Sequence, residues 1–185
     1  PYDERGSEGA RGIERVFGPW YRHYLLPVVL PALTGVEEKM RDGAKVADVG
    51  CGAGAALVRM PGAYPQAEFH GYEISQHALE RARENITDAE VGNIFVHDAK
   101  KDALPEDGSF DFITTFDCIH DMTRPAEMIQ SIRSALKPNG TWLIADIKSA
   151  PTYEENLKKP MTSLMYAFSV MGCMSSALSE PGGAG

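Results

Sequence analysis

The stretch "VADVGCGAGAALVRM" (46–60) constrains this chain more than any other. It opens on a short apolar run of strand type and turns on three glycines at alternate positions, Gly50, Gly52 and Gly54. It then continues into a helical pattern that stops at Pro61-Gly62. Glycine adopts turns closed to other residues and lets a ligand approach the main chain with no Cβ in the way. In parallel sheets, ligands bind outside the carboxyl ends of the strands, where strand order reverses. A helix following such a turn presents free N–H groups to negative ligand atoms. The turn alone is a weak signal, because Gly50-x-Gly52-x-x-Ala55 also fits the relaxed dinucleotide fingerprint.

The remaining chain supplies the context. Residues 1–12 read as a polar loop, and 13–40 as helix broken at Pro27 and Pro31. Strand-type runs follow at 45–50, 68–74, 93–99, 110–119 and 141–147. Between them, Ser75 is placed to cap a helix with Leu79, Ala82 and Ile86 on one face. Thr123 is expected to cap a second helix carrying Met128, Ile129, Ile132 and Leu136. "KPNG" (137–140) reads as a stop and turn, and 153–180 as helix interrupted at Pro160. Strands apolar on both faces, alternating with helices, predict an α/β fold with a parallel sheet covered on both sides.

Acids stand where such strands end. Asp48 closes the first strand, a position that suits a ligand with a cationic amino group. Glu73 ends the second strand, 23 residues after Gly50, where an acid accepts the hydroxyls of an unphosphorylated ribose. Asp98 ends the third and can accept an adenine amine, with Asp102 as a competitor. "FDCIHD" (116–121) ends the fourth, beside the reacting group. Four neighbouring strand ends thus offer an amino-acid site, a ribose site, an adenine site and a reaction site. S-adenosylmethionine has the first three parts together with a sulfonium methyl.

These segments resemble the class I S-adenosylmethionine-dependent methyltransferases. "VADVGCGAG" resembles their first motif, "GYEIS" their second-strand acid and "HDAKK" their third. "FDFITTFDCIHDM" resembles their fourth motif and "LKPNGTWLIADI" their fifth strand. The resemblance implies a Rossmann-like sheet in order 3-2-1-4-5, with S-adenosylmethionine as cofactor and S-adenosylhomocysteine as product. It assigns cofactor binding to Asp48, Gly50, Cys51, Gly52, Gly54, Glu73, Ile74, Asp98, Ala99, Phe116 and Asp117. "RPAEMIQSIRSALKPNG" and "MYAFSVMGC" (165–173) resemble a subgroup in which a winged-helix-like domain precedes the catalytic one. In that subgroup, helices after the fifth strand wall the substrate pocket, which points to Tyr166, Ser169 and Cys173 beside His120 and Asp121.

The expected organisation is one domain, with an N-terminal helical segment (1–43), a cofactor core (44–148) and a helical substrate cap (149–185). The family's final strand hairpin is missing from this plan. That leaves the fifth strand as an open edge, to be covered by further sequence or a homo-oligomer. The chain begins at Pro1 rather than Met and stops at "SEPGGAG", so a longer natural protein is expected.

Bulk properties narrow the acceptor. The net charge of −8 (18 basic against 26 acidic residues) argues against a nucleic-acid backbone contact. The longest apolar stretch, "YLLPVVLPAL" (24–33), is far short of the about 20 residues that span a bilayer. Three cysteines without a CxxC pair fit a reduced, cytoplasmic setting. A small-molecule methyl acceptor is therefore expected. His120 reads either as a general base near pH ~6.5 or as a hydrogen-bonded pocket wall. With Asp117 or Asp121 it could ligate a metal, but no further ligand is implied, so no metal is expected. Two rival readings share the glycine turn. A nicotinamide-dependent oxidoreductase needs a catalytic Tyr-x-x-x-Lys, which is absent, and a non-catalytic S-adenosylmethionine sensor would bind cofactor without turnover.

Overall fold

The computed structural model describes residues 6–183. Five parallel strands form one sheet in the order β3-β2-β1-β4-β5. They are β1 (Lys45–Val49), β2 (Glu68–Glu73), β3 (Ile94–Asp98), β4 (Phe110–Phe116) and β5 (Leu136–Ala145). The order reverses between β1 and β4, as expected, and β5 lies at the edge.

Alternation along each strand feeds two cores. One face packs Val46, Phe69 and Phe112 against Tyr21, Leu25, Leu30 and Met40 from the N-terminal helices. The other packs Ala47, Tyr72 and Ile113 against Ile132 and Ala135 of α4 (Pro125–Ala135). Phe69, Phe112 and Ile113 are fully buried.

The N-terminal segment departs from the sequence reading. Its described part is helical from Gly6, as α1 (Gly6–Trp20), so the expected loop over 6–12 is helix; residues 1–5 of that loop lie outside the described residues. Pro27 does not break the chain, because Tyr21–Val29 winds in wide π-type turns that absorb its missing N–H. The break falls after a 3-10 turn at Leu30–Ala32, where Gly35 (φ +75°) starts α2 (Val36–Arg41).

Four further local expectations are corrected. The segment after the glycine turn forms only a 3-10 turn, Leu57–Arg59, since Pro61-Gly62 follows too closely for a helix to propagate. Thr123 does not cap α4; Arg124 occupies that position without a side-chain cap. Of that helix's expected apolar face, Ile132 is buried but Ile129 is exposed. "KPNG" does not end the helix as a free turn: β5 begins at Leu136, and the segment bulges between the Phe110–Leu136 and Phe112–Thr141 pairs. α3 (Gln76–Asp88) matches its expectation, with the Ser75 hydroxyl accepting from Ala78 N at 3.3 Å. The expected C-terminal helix divides into α5 (Tyr153–Asn156), α6 (Thr162–Phe168), π-type turns at Ser169–Cys173, and α7 (Met174–Ala177).

Candidate active site

The three glycines of the turn have different tasks. All three have positive φ. A Cβ on Gly50 would lie 2.9 Å from the Cys118 sulfur, and one on Gly54 would press Ala82 of α3 at 3.4 Å. A Cβ on Gly52 would meet nothing within 4 Å. Gly50 and Gly54 are thus packing glycines, and Gly52 is the one that opens outward. A fourth glycine escaped sequence reading. Gly71 in β2 leaves room for Leu57 and Cys51, whose side chains would lie 2.6 and 2.7 Å from any Cβ there. The only signal in the sequence was a glycine inside a strand.

Glu73 is the hub of the turn. Its carboxylate accepts from Gly52 N at 2.9 Å, Ile74 N at 2.8 Å and Ser75 N at 2.9 Å. It therefore ties the β1 turn to the start of α3. Asp98 lies beside it in register on β3, and Ala99 N donates to Glu73 O at 2.9 Å. Asp98 accepts from Gln76 and lies 3.1 Å from Lys101. That ammonium, with Lys100 N and Gln76 helping, holds the Asp98 carboxyl below its usual range. Asp102 points elsewhere and pairs with His97 at 2.6 Å. Three expected cofactor residues, Gly52, Glu73 and Asp98, are thus gathered at the ends of three adjacent strands, with Ile74 exposed next to them.

Asp48 and Phe116 stand differently. Asp48 is buried and takes a hydrogen bond from the Thr114 hydroxyl at 2.8 Å. Burial pushes its carboxyl up to about 7, against the Thr114 bond and with Glu73 adding to the rise. It sits beneath the turn rather than on its open side. Phe116 packs edge-on against Tyr21 and Trp20, at centroid distances of 5.1 and 6.0 Å, and so closes the core under the site. Cys51 is a packing residue whose thiol is raised far from reactivity by burial.

The expected acceptor end is built from the turn after β4. Asp117 adopts a left-handed conformation (φ +52°), a strained choice for a residue with a Cβ. Its N–H donates to Ala145 O at 2.8 Å, and burial raises its carboxyl. The Cys118 thiol donates to Val49 O at 3.2 Å. His120 lies between two acids, with Nδ1 2.7 Å from Asp146 and Nε2 3.1 Å from Asp121. Asp121, foremost, and Asp146 push the imidazole up to about 9 against burial. An imidazole held there is already protonated at neutral pH. Of the two expected roles, this favours the hydrogen-bonded pocket wall over the base near pH ~6.5. Asp146 was missed because it reads simply as one residue of the strand-type run 141–147, whereas β5 ends at Ala145 just before it.

Of the expected pocket wall, Cys173 reaches the site. It comes within 4.8 Å of His120 and Asp121, giving the further metal-type ligand that the sequence did not imply. Ser169 is half-buried on the turns preceding it, and Tyr166 is exposed, meeting Tyr153 edge-on at 5.7 Å. Tyr166 is thus placed on the outer side of the cap.

Comparison with known proteins fits this geometry. The model of a family described as "Methyltransferase domain" matches residues 40–180. The chain belongs to this methyltransferase family. Its fold and motifs are those of the class I S-adenosylmethionine-dependent members. The chain is 27% identical over 111 residues to a ubiquinone biosynthesis O-methyltransferase of Albidiferax ferrireducens, covering 59% of this chain and 43% of that one. It is 36% identical over 94 residues to a tRNA (guanine-N(7)-)-methyltransferase of Serratia proteamaculans, covering 49% and 37%. The methyltransferase chain thus spans less than half the length of these curated relatives. Among solved structures, the phosphoethanolamine N-methyltransferase 2 of Haemonchus contortus, solved with S-adenosylhomocysteine, superposes with a TM-score of 0.58. It is 24% identical and covers 75% of this chain and 32% of that one, so it speaks to the fold. Among the described residues, no helix is long and apolar enough to cross a membrane.

Proposed function

We propose that this methyltransferase domain binds S-adenosylmethionine at the glycine turn and transfers its methyl group to a small-molecule acceptor, leaving S-adenosylhomocysteine. The observation that carries this reading is the in-register pair Glu73 and Asp98 beside Gly52, at the ends of β2 and β3 on the β1 side of the β1–β4 reversal. The open side of Gly52 gives a ligand room to approach the backbone, which a Cβ would narrow. Glu73 would accept the ribose hydroxyls and Asp98 the adenine amine. Asp48, buried under the turn, would act through charge and through Thr114 rather than by contact.

The cofactor, when bound, supplies an activated sulfonium methyl. The protein's part is then to orient the acceptor for in-line attack and exclude water, and orientation alone supplies up to ~7–11 kcal/mol. Asp117, His120 and Asp121 would shape the acceptor pocket, with Cys173 and Ser169 of the cap closing it and Tyr166 on the cap's outer side. His120, protonated between its acids, would position the acceptor rather than take its proton.

A small acceptor is supported by the acidic charge and by the O-methyltransferase relative; the tRNA-modifying relative marks the rival outcome. Free cysteines fit a cytoplasmic setting. The open β5 edge and the exposed apolar cap support self-association, to be read by light scattering. The deciding experiment is calorimetric titration with S-adenosylhomocysteine and with NADH. One S-adenosylhomocysteine site per chain is expected. Saturable NADH binding with no S-adenosylhomocysteine response would overturn the assignment. Turnover on tRNA but on no metabolite in a screen would overturn the acceptor class alone.

A further inference from the structure

We propose that His120, Asp121 and Cys173 form a binding site for a divalent transition-metal ion of the zinc class. A ring nitrogen, a carboxylate oxygen and the Cys173 sulfur all lie within 4.8 Å of one another. Zinc bonds of about 2.0–2.3 Å to N, O and S imply tetrahedral edges of about 3.3–3.6 Å. His120 Nε2 and Asp121 Oδ1, at 3.1 Å, are already near that spacing. Metal binding would draw the sulfur in from within 4.8 Å to that spacing.

Three independent features point to a cation. First, His120 Nε2 is buried 3.1 Å from Asp121 Oδ1, an ion pair whose alignment falls short of a hydrogen bond. A buried ring nitrogen ordinarily makes an aligned hydrogen bond. Second, His120 Nδ1 is held by Asp146 at 2.7 Å. A carboxylate gripping the far ring nitrogen is the arrangement that fixes a metal-binding imidazole and raises its basicity. Third, three carboxylates, Asp117, Asp121 and Asp146, surround one imidazole, so the cluster carries excess negative charge for a dication to offset.

The donor set selects the ion. Thiolate and imidazole favour zinc-class metals over magnesium or calcium, which prefer oxygen alone. Coordination releases the thiol proton and the Nε2 proton to buffer. Three protein ligands leave a fourth position for water or a donor atom of the acceptor. The site does not rest on the methyl-transfer reading.

Cobalt(II) titration of the full chain tests it, because a cobalt–thiolate bond gives a near-ultraviolet charge-transfer band. One cobalt per chain, displaced by zinc, is expected. Cys173→Ser should abolish the band and weaken binding at least tenfold. Asp146→Asn should keep the band and weaken binding about 10–100-fold. Cys118→Ser should leave the band in place. Zinc should also shield Cys173, in the unmutated protein, from alkylation by iodoacetamide, read by peptide mass; this arm stands even if a variant fails to fold. No saturable binding, a band surviving Cys173→Ser, or unchanged alkylation would each overturn the site. S-adenosylhomocysteine titration of the same sample keeps the outcomes apart. Intact cofactor binding without cobalt sinks the metal site alone, and cobalt binding without cofactor binding sinks the proposed function alone.

Discussion

In β1 every side chain from Val46 to Val49 is buried, whereas no residue of β5 is buried and Ile144 is 53% exposed. The coverings differ in the same way. The N-terminal helices place Leu25, Leu30 and Met40 fully inside the core, while the cap leaves Leu164, Phe168, Val170 and Met171 exposed. Among the described residues of the cap, only Gly172, Ser176 and Ala177 are buried. The cofactor end of the sheet is thus fixed redundantly, by packing on both faces and by the Glu73 clamp. The acceptor end rests on a few polar contacts around His120 and Asp146. Under the proposed function, an arrangement of this kind would hold the cofactor rigidly and leave the surroundings of the acceptor free to adapt.

The largest expected contrast is in stability. Phe112→Ala, in the fully buried middle of β4, should cost about 3–5 kcal/mol, because it removes a large apolar group and leaves a cavity. Phe168→Ala, at 54% exposure in the cap, should stay within about 0.5 kcal/mol. Urea denaturation of both variants checks this. Comparable losses would show that the cap packs as tightly as the core and would erase the contrast.

Asp48 gives the cofactor end a pH signature. Its folded carboxyl titrates near 7, against 3.8 for the ordinary group. The folded form therefore resists ionisation that the unfolded chain accepts. Stability from this group declines as pH rises from about 4 to about 7 and is level above. Asp48→Asn keeps a partner for the Thr114 hydroxyl and removes the buried charge. The variant should match the parent near pH 4 and exceed it by about 2–4 kcal/mol at pH 8. Denaturation midpoints across that range measure it. Parallel pH curves for parent and variant would show that Asp48 ionises normally.

Glu73→Ala should weaken S-adenosylhomocysteine binding by about 1–3 kcal/mol, since buried hydroxyls lose a charged acceptor. Part of that loss should come through the turn, because Gly52, Ile74 and Ser75 lose their shared acceptor as well. Asp102→Ala, which loses only the His97 contact, should bind almost as the parent does. Calorimetry of the pair separates a clamp from a solvated acid; equal affinities would remove Glu73 from the site.

This contrast also explains what the sequence disclosed. The glycine turn, Ser75 and the acids Glu73 and Asp98 at their strand ends were readable because each depends on local spacing, while the strand order came from the family resemblance. Asp48 was placed on the right strand, but its burial was not legible, because it depends on neighbours far away in sequence such as Thr114 of β4. The partnership of His120 with Asp146 and Cys173 joins three distant segments, so no local pattern announces it. Pro27 misled because a π-type winding tolerates what an α-helix does not.

The smallest expected effect sets the same cap chemistry in the two regions. Ser75 accepts from Ala78 N at the start of α3, whose Leu79 and Ala82 are fully buried. Thr152 accepts from Glu155 N in the same way, also at 3.3 Å, but at the start of the four-residue α5. Losing either hydroxyl leaves one helix N–H without its acceptor, worth about 1 kcal/mol where the helix is coupled to global unfolding. α3 is coupled through its buried face, so Ser75→Ala should cost about that much. α5 buries no side chain and can fray alone, so Thr152→Ala should leave the global transition unmoved and show only as faster amide exchange near Glu155. Hydrogen exchange together with urea denaturation reads both. A global loss from Thr152→Ala equal to that from Ser75→Ala would mean that the cap unfolds with the core, and the acceptor end would then be as firmly built as the cofactor end.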